Sequence, residues 1–253
     1  MNKLLISLLV IGIFLLYYCM LLGVVTPIVR YSVDNSSFFL FNLLCCLSSL
    51  VVLYFVHGKK SFLKTLGLEK NLGKGLLLGF VSTLPLFIYS IVYGTWNIEL
   101  TCWRLVNATL FAGFFEEFFF RGILFGQLFR YAKWGFIPAG LLTGIIFGFG
   151  HIFQGNDVLQ VVMVVTVTGL GSFFFSWIYM EFGQNLWASI SLHVLMNFAW
   201  TAFSISDNGA IGSYEVNIVR ILVIFIAVFG VIFYKRRNHI PFQVTYRTLW
   251  VNH

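Results

Sequence analysis

Two adjacent carboxylates, Glu116 and Glu117, lie in the middle of an apolar stretch of the chain, and Arg121 follows four positions later. Placing one ionised side chain at the centre of a bilayer costs roughly 2.5–3.5 kcal/mol even on insertion-based scales. Three charged groups in one candidate membrane helix therefore need a specific reason. One reason is a buried ion pair that closes a helix bundle, and the other is a catalytic site.

Two more polar motifs occur in later apolar stretches, Phe147 with His151 and His193 with Asn197. Residues four positions apart share one face of an α-helix, so each motif places its two side chains on one face. If these faces converge with that of Glu116, they form one polar cavity at membrane depth. The residues predicted to meet there are Glu116, His151, His193 and Asn197.

The same spacing predicts an ion pair between Glu117 and Arg121, in which each charge neutralises the other in a low dielectric. Glu116 then points to a neighbouring face of the helix and needs a different partner. The bland interpretations are also open, since a lone membrane histidine often only joins two helices and Asn197 alone could serve packing. The conjunction of three polar motifs on separate helices favours catalysis.

The residues allow two schemes for activating water. In the first, a carboxylate and an imidazole remove the proton of a water molecule, while a second histidine and an asparagine amide stabilise the oxyanion that forms. In the second, Glu116, His151 and His193 bind Zn²⁺, which lowers the pKa of a bound water. Both schemes describe hydrolysis of a peptide bond, and the residues alone leave both open.

The composition places this chain of 253 residues in a membrane. It is 59% hydrophobic and 10% charged, with a mean hydropathy of +0.91, whereas soluble domains carry about 25% charged residues. Apolar runs long enough to cross a bilayer as helices are continuous rather than alternating, which argues against strands. These eight runs lie at about 4–26, 37–57, 75–95, 105–130, 134–153, 157–180, 184–205 and 215–234.

The sequence therefore predicts an all-α polytopic membrane protein, with about eight transmembrane helices around an intramembrane polar cavity and one domain over residues 1–253. The first run lacks a small-residue cleavage site and is interpreted as a retained helix. Gly140, Gly144 and Gly148 recur every fourth residue and predict close helix approach. Arg220 is expected to extend to the lipid headgroups.

The distribution of basic residues predicts the orientation of the protein in the cell membrane. With both termini in the cytoplasm, most lysines and arginines fall on the cytoplasmic face, as the positive-inside rule requires. The net charge of +7 is thus a topology signal that also suits anionic lipid, and it gives no support for nucleic-acid binding. The residues placed inside are Lys3, Lys59, Lys60, Lys64, Lys70, Lys74, Arg130, Lys133, Lys235, Arg236, Arg237 and Arg247.

Three sequence motifs resemble those of a known family. The stretch 116–121 matches the pattern EExxxR, 147–151 matches FxxxH, and 193–197 matches HxxxN. In this order and on separate membrane helices, they resemble the CAAX prenyl protease and bacteriocin-processing (CPBP, or Abi) family. The resemblance covers about residues 75–205, which we take as the family-like catalytic core.

The resemblance implies an all-helical intramembrane endopeptidase whose cavity opens to the lipid and to the cytoplasmic side. It implies Glu116 as general base, His151 as its partner in holding the water, and His193 with Asn197 as the oxyanion site. Supporting roles fall to Glu117, Arg121 and Phe147. Both a metalloprotease mechanism, with Zn²⁺ on Glu116, His151 and His193, and a metal-free glutamate mechanism are compatible with the family.

The predicted function is hydrolysis of a membrane-associated peptide or protein precursor, in a bacterium to judge from the compact architecture without a soluble domain. A first alternative is a non-catalytic scaffold for bacteriocin self-immunity or signalling that keeps the same fold. A second is a proton-coupled transporter, which the absence of a detectable inverted repeat disfavours.

Overall fold

The computed structural model describes residues 2–20, 36–58, 62–206 and 208–252, which are mostly helical. A short 3₁₀ turn, Ile152–Gln154, and two brief strands, β1 (Thr95–Trp96) and β2 (Phe203–Ser204), accompany the helices. The helices are α1 (Lys3–Met20), α2 (Ser36–His57), α3 (Phe62–Leu66), α4 (Leu72–Tyr93), α5 (residues 102–130), α6 (Phe136–Phe149), α7 (Val158–Glu181), α8 (Leu186–Ala202) and α9 (Tyr214–Arg237).

Each of the eight predicted apolar runs contains one of the long helices, so the all-helical membrane fold is confirmed. Within the described residues, four helices are long and apolar enough to cross a membrane: Phe39–His57, α4, α7 and α9. Helices α1 and α6 are apolar but shorter. That all eight cross stays a prediction. Residues 21–26 of the first run, and Lys59 and Lys60 of the cytoplasmic set, lie outside the described residues.

Side-chain caps fix where several helices begin. The first backbone N–H groups of a helix have no partner inside it, and an Asn, Asp or Ser side chain can accept from them. Asn71 accepts from the backbone N–H of Lys74 at 2.8 Å at the start of α4. Asp157 does the same for Gln160 at 2.8 Å at the start of α7. The polar residues 154–157 thus separate α6 from α7.

The helices run between two ends of different composition. We call one the basic end; it holds the start of α1 and residues 62–74, 130–135, 182–185 and 235–252. Every lysine that the structure describes lies there. We call the other the loop end; it holds residues 94–101, 150–157, 203–206 and 208–215. The described basic residues of the basic end are Lys3, Lys64, Lys70, Lys74, Arg130, Lys133, Lys235, Arg236, Arg237 and Arg247.

A buried carboxylate, that of Glu181, attaches residues 238–252 to α7 and α9. Glu181 accepts hydrogen bonds from the side chain of Lys235 and from the backbone N–H of Val244, the latter at 2.6 Å. The Asn252 amide donates to the backbone oxygen of Phe129, the penultimate residue of α5, at 2.7 Å. This segment therefore packs beneath α5 and α7.

A two-residue antiparallel ribbon forms at the loop end, where the expectation was of helices alone. Thr95 pairs with Ser204 and Trp96 pairs with Phe203. The chain leaves α4 and α8 at the same height, so these two segments meet and satisfy each other's backbone groups.

Helix α5 is central to the bundle. All residues from 117 to 129 are buried. Phe119 stacks on Tyr17 of α1 with ring centroids 3.8 Å apart, and Phe120 meets Phe14 edge-on at 4.9 Å. The first helix is therefore part of the core that holds α5.

Close approach of α6 and α7 depends on the repeated glycines, as predicted. A Cβ atom on Gly148 would lie 2.7 Å from the backbone oxygen of Val165. One on Gly140 would lie 2.7 Å from the ring of Phe173, and one on Gly144 would lie 3.0 Å from the oxygen of Gly169. Small residues at such contacts let two helix backbones pack directly.

We expect Gly148→Ala to destabilise the protein by about 1–3 kcal/mol, because the added methyl group overpacks against a backbone atom that cannot rotate away. Thermal unfolding in detergent would measure this as a lower midpoint. The control is Gly12→Ala in α1, where a Cβ atom meets nothing within 4 Å. Equal midpoints for the two variants would show that α6 and α7 separate without cost.

Candidate active site

The carboxylate pair lies on an unusual stretch of helix. In α5, the π-helical turns Asn107–Phe111 and Phe118–Phe125 flank the α-helical segment Ala112–Glu117. A π-helical turn is wider than an α-helical one, is rare, and frequently occurs at functional sites. The two turns set the direction in which Glu116 and Glu117, at the end of that segment, project from α5.

Glu117 is fully buried and contacts two cationic or polar partners through one oxygen. Its Oε1 lies 2.9 Å from Nη1 of Arg121, and it accepts a hydrogen bond of 2.7 Å from Nδ1 of His193. The predicted ion pair of Glu117 and Arg121 is therefore present. The contact with Nη1 is close but poorly angled, so we describe it as an ion pair rather than a hydrogen bond.

Arg121 lies between two aromatic rings. Its guanidinium carbon is 4.8 Å from the ring centre of Phe147 and 5.1 Å from that of Phe175. Such cation–π contacts strengthen where water is excluded, and Arg121 is fully buried. The guanidinium and the two rings form a packed layer next to the Glu117 carboxylate.

His193 joins the two glutamates. Its Nδ1 hydrogen is committed to Glu117, so Nε2 is the nitrogen that faces Glu116. The distance from Nε2 to Oε2 of Glu116 is 3.6 Å, longer than a hydrogen bond. The Phe175 ring stacks on the imidazole with centroids 5.1 Å apart. The His193 side chain is 10% exposed and that of Glu116 is 30% exposed, so Glu116 is the carboxylate that meets the cavity.

His151 does not lie on the helix, in contrast to the expectation that it shares a helical face with Phe147. Helix α6 ends at Phe149, and His151 follows in a turn. Its Nδ1 forms a 2.7 Å hydrogen bond to the backbone oxygen of Phe147. Since a carbonyl only accepts, Nδ1 carries the hydrogen and Nε2 is left free to accept one.

Asn197 connects α8 to the first π-helical turn of α5. Its Nδ2 donates to the backbone oxygen of Ala108 at 3.2 Å. The amide nitrogen carries two hydrogens, so one remains for another partner. Asn197 thus combines the packing role weighed for it with a free donor.

A cavity of about 430 Å³ brings the predicted residues together. Glu116, His151, His193 and Asn197 all line it. The apolar side chains of Phe147, Phe175 and Met196 complete its inner wall. The convergence expected from the three motifs is therefore what the structure shows.

A smaller cavity of about 140 Å³ lies against two of these residues from the side of α1 and α2. Tyr17, Tyr18 and Asn42 line it, and it shares Glu116 and His151 with the larger cavity. Glu116 can therefore be approached from two directions.

The guanidinium of Arg220 is held by backbone oxygens of the loop end, a contact that the sequence did not predict. Nη1 donates to the backbone oxygen of Ala210 at 2.9 Å and Nη2 to that of Gly209 at 3.1 Å. The guanidinium lies 4.8 Å from the ring centre of Trp200, and both residues line the larger cavity. The sequence did hold a signal for Arg220 as a cavity residue, because Arg220 is a charged residue in an apolar run, as Glu116 is.

In the described part of the chain, the predicted zinc ligands are not gathered into a three-ligand site. No group of three His, Cys, Asp or Glu side chains within the described ranges is arranged to hold a metal ion. The Nδ1 atoms of His151 and His193 are each engaged by a protein oxygen, and His151 lies in a separate turn. Binding of Zn²⁺ stays a prediction.

The larger cavity lies in the half of the bundle next to the loop end. Gln154, Gly209 and Ala210 of that end line it, whereas residues 117–129 of α5, which lead to the basic end, are all buried. An opening to the cytoplasmic side and a cytoplasmic location of the basic end were both expected. The two expectations conflict.

Comparison with protein families supports the resemblance drawn from the motifs. Residues 97–199 match the family model described as type II CAAX prenyl endopeptidase Rce1-like. This match agrees with the family resemblance drawn from the motifs, over a region somewhat shorter than 75–205. Every predicted site residue lies inside the match, while α1, α2, α9 and Arg220 lie outside it. No curated protein and no solved structure shows significant similarity to the chain.

Proposed function

We propose that this chain, whose residues 97–199 carry an Rce1-like domain of the type II CAAX prenyl endopeptidases, hydrolyses peptide bonds of a membrane-associated peptide or protein precursor. The observation that carries the proposal is the convergence of Glu116, His151, His193 and Asn197 on one cavity inside a helical membrane bundle. Buried polar groups of this kind are costly in a membrane, and scaffolding needs none of them.

Glu116 and His151 suit the activation of water. The carboxylate and the free Nε2 of His151 are both acceptors, and a water molecule has two hydrogens to donate. A water held between them presents a lone pair to the carbonyl carbon of the substrate. Glu116 takes one proton as the new C–O bond forms, which is general-base catalysis.

His193 and Asn197 suit the developing oxyanion. An imidazole that carries hydrogens on both nitrogens keeps its Nδ1 bond to Glu117 and has its Nε2 hydrogen available. Nε2 of His193 then donates a hydrogen bond into the cavity, and the second hydrogen of the Asn197 amide does the same. Donors already aimed at the position where charge develops stabilise the transition state.

The reaction closes when the C–N bond breaks. The proton held by Glu116 passes to the departing nitrogen, so the products are a carboxylic acid and an amine and Glu116 is again a carboxylate. Glu117 and Arg121 take no part in these transfers. Glu117 holds the ring of His193 by accepting its Nδ1 hydrogen, and Arg121 pairs with that carboxylate. The rings of Phe147 and Phe175 shield this pair from water.

The cavity admits an extended peptide segment rather than a folded domain. Its volume of about 430 Å³ is in the range of sites that hold small ligands or a few residues. A flexible or membrane-tethered segment meets this requirement.

Removal of the His193 imidazole tests the function. We expect His193→Ala to abolish maturation of a small membrane-associated peptide, because the oxyanion loses one of its two proposed hydrogen-bond donors. Mass spectrometry of peptides from cells that express wild type or variant would show the precursor accumulating. His239→Ala, at the basic end, is the control and should process normally. An unchanged peptide profile with a retained immunity or signalling phenotype would instead favour the scaffold alternative.

A further inference from the structure

A second, larger concavity adjoins the catalytic cavity at the loop end. It has a volume of about 750 Å³ and shares Gln154 with the catalytic cavity, so the two are continuous at that residue. We call it the polar groove, because amide and hydroxyl side chains dominate its lining and its described residues carry no charge. Its polar lining includes Gln154, Asn156, Gln160, Ser204, Ser206 and Asn208.

Hydrogen bonds hold the wall of the groove in place. Asn208 donates from Nδ2 to the backbone oxygen of Gln154 at 2.7 Å and accepts from the backbone N–H of Ala210 at 3.0 Å. The side chain of Gln160 accepts from the backbone N–H of Asn156 at 3.1 Å. These contacts join the turn before α7 to the segment after β2, so the groove is a built surface rather than a gap between loops.

The chemistry of the groove fits an extended peptide backbone. Amides and hydroxyls both donate and accept hydrogen bonds, which matches the alternating N–H and C=O groups of a peptide. Ser204 of β2 lines the groove and is exposed, and β2 pairs only with β1 in the described sheet. An unpaired strand edge is a common place for an extended peptide to add.

The distribution of charge tells which side of the membrane the groove faces. Every described lysine lies at the basic end, whereas Glu99, Asp157 and Glu215 lie at the loop end. The excess of basic residues on cytoplasmic segments places the basic end inside and the loop end outside.

The catalytic cavity has no route to the basic end along α5. Residues 117–129 are all buried, and the guanidinium of Arg121 is packed between the rings of Phe147 and Phe175. Glu116 is therefore reached from the half of the molecule that contains the polar groove.

We infer that the substrate is a peptide segment on the non-cytoplasmic side of the membrane, which lies extended in the polar groove and enters the catalytic cavity past Gln154. The inference rests on the proposed peptidase function for its last step, but the side of the membrane does not. Under this inference, the protein would cut only precursors whose scissile segment has been translocated across the membrane.

Cysteine labelling tests the side of the membrane without any need for catalysis. In a variant whose four native cysteines are alanine, Ser204→Cys and Asn156→Cys probe the groove and Lys70→Cys probes the basic end; all three positions are exposed. A membrane-impermeant maleimide added to intact cells should label both groove positions, and label Lys70→Cys only after the membrane is opened. The reverse pattern would overturn the inference, and two groove positions guard against one variant that fails to fold.

Blocking the groove tests the route. After labelling of Ser204→Cys with a bulky impermeant maleimide, the precursor that accumulates in His193→Ala should accumulate here too. The same reagent on Lys70→Cys should leave processing intact. Normal processing with a fully labelled groove would refute the groove as the route. If no precursor accumulates in His193→Ala, the peptidase proposal fails, while the labelling pattern still decides which side the groove faces.

Discussion

Glu116→Gln is expected to lower the rate of peptide cleavage by roughly 10²–10⁴-fold or more, the contribution that a positioned general base typically makes. The amide has the same shape as the carboxylate but cannot take the proton of the attacking water. Glu116 is 30% exposed in the cavity and its nearest charged contact, with His193, is 3.6 Å long. The substitution should therefore leave the protein level and the unfolding temperature close to those of wild type.

The rate would be measured on the precursor that accumulates without catalysis, with purified protein in lipid vesicles. Glu99→Gln is the matched control, because Glu99 undergoes the same change at an exposed position of the loop end. Cleavage by Glu116→Gln at the rate of the control would remove Glu116 from the role of base. Loss of protein in Glu116→Gln alone would instead assign Glu116 to stability.

Arg121→Ala is expected to destabilise the fold by about 3–5 kcal/mol, since breaking one side of a buried ion pair leaves the other charge without compensation. Both partners are fully buried, with Nη1 of Arg121 2.9 Å from Oε1 of Glu117. The variant also removes the guanidinium from between Phe147 and Phe175 and leaves a space there. Low expression and a large drop in the thermal midpoint in detergent should follow.

A double variant separates charge from packing in this prediction. Glu117→Gln combined with Arg121→Ala has no uncompensated carboxylate, and the glutamine oxygen can still accept from Nδ1 of His193. We expect the double variant to be more stable than Arg121→Ala alone. Arg104→Ala, at an exposed position of the same helix, should be unaffected. A midpoint for Arg121→Ala equal to that of Arg104→Ala would contradict the ion-pair argument.

The sequence predicted the helices well because each one contains a continuous apolar run, and such a run of about 20 residues spans a bilayer only as a helix. The pair of Glu117 and Arg121 was also predictable, since a separation of four residues fixes proximity on a helix. Both predictions depend on local geometry alone.

The partners of His193 could not be predicted in this way. The hydrogen bond from His193 to Glu117 joins residues 76 positions apart, and only the packing of α5 against α8 decides it. His151 was misplaced because α6 ends two residues before it. The hydrogen-bond partners of Arg220 could not be predicted, because they are the backbone oxygens of Gly209 and Ala210. These residues lie in a loop whose path the hydropathy pattern does not specify.

The smaller cavity bears on how water reaches the site of the proposed hydrolysis. Each turnover consumes a water molecule, and a peptide that fills the larger cavity displaces the solvent there. The smaller cavity of about 140 Å³ has room for several waters and offers polar partners in Tyr17, Asn42 and Glu116. It reaches Glu116 and His151 from the side of α1 and α2. Water can therefore be replaced at these residues while the substrate peptide stays in the larger cavity.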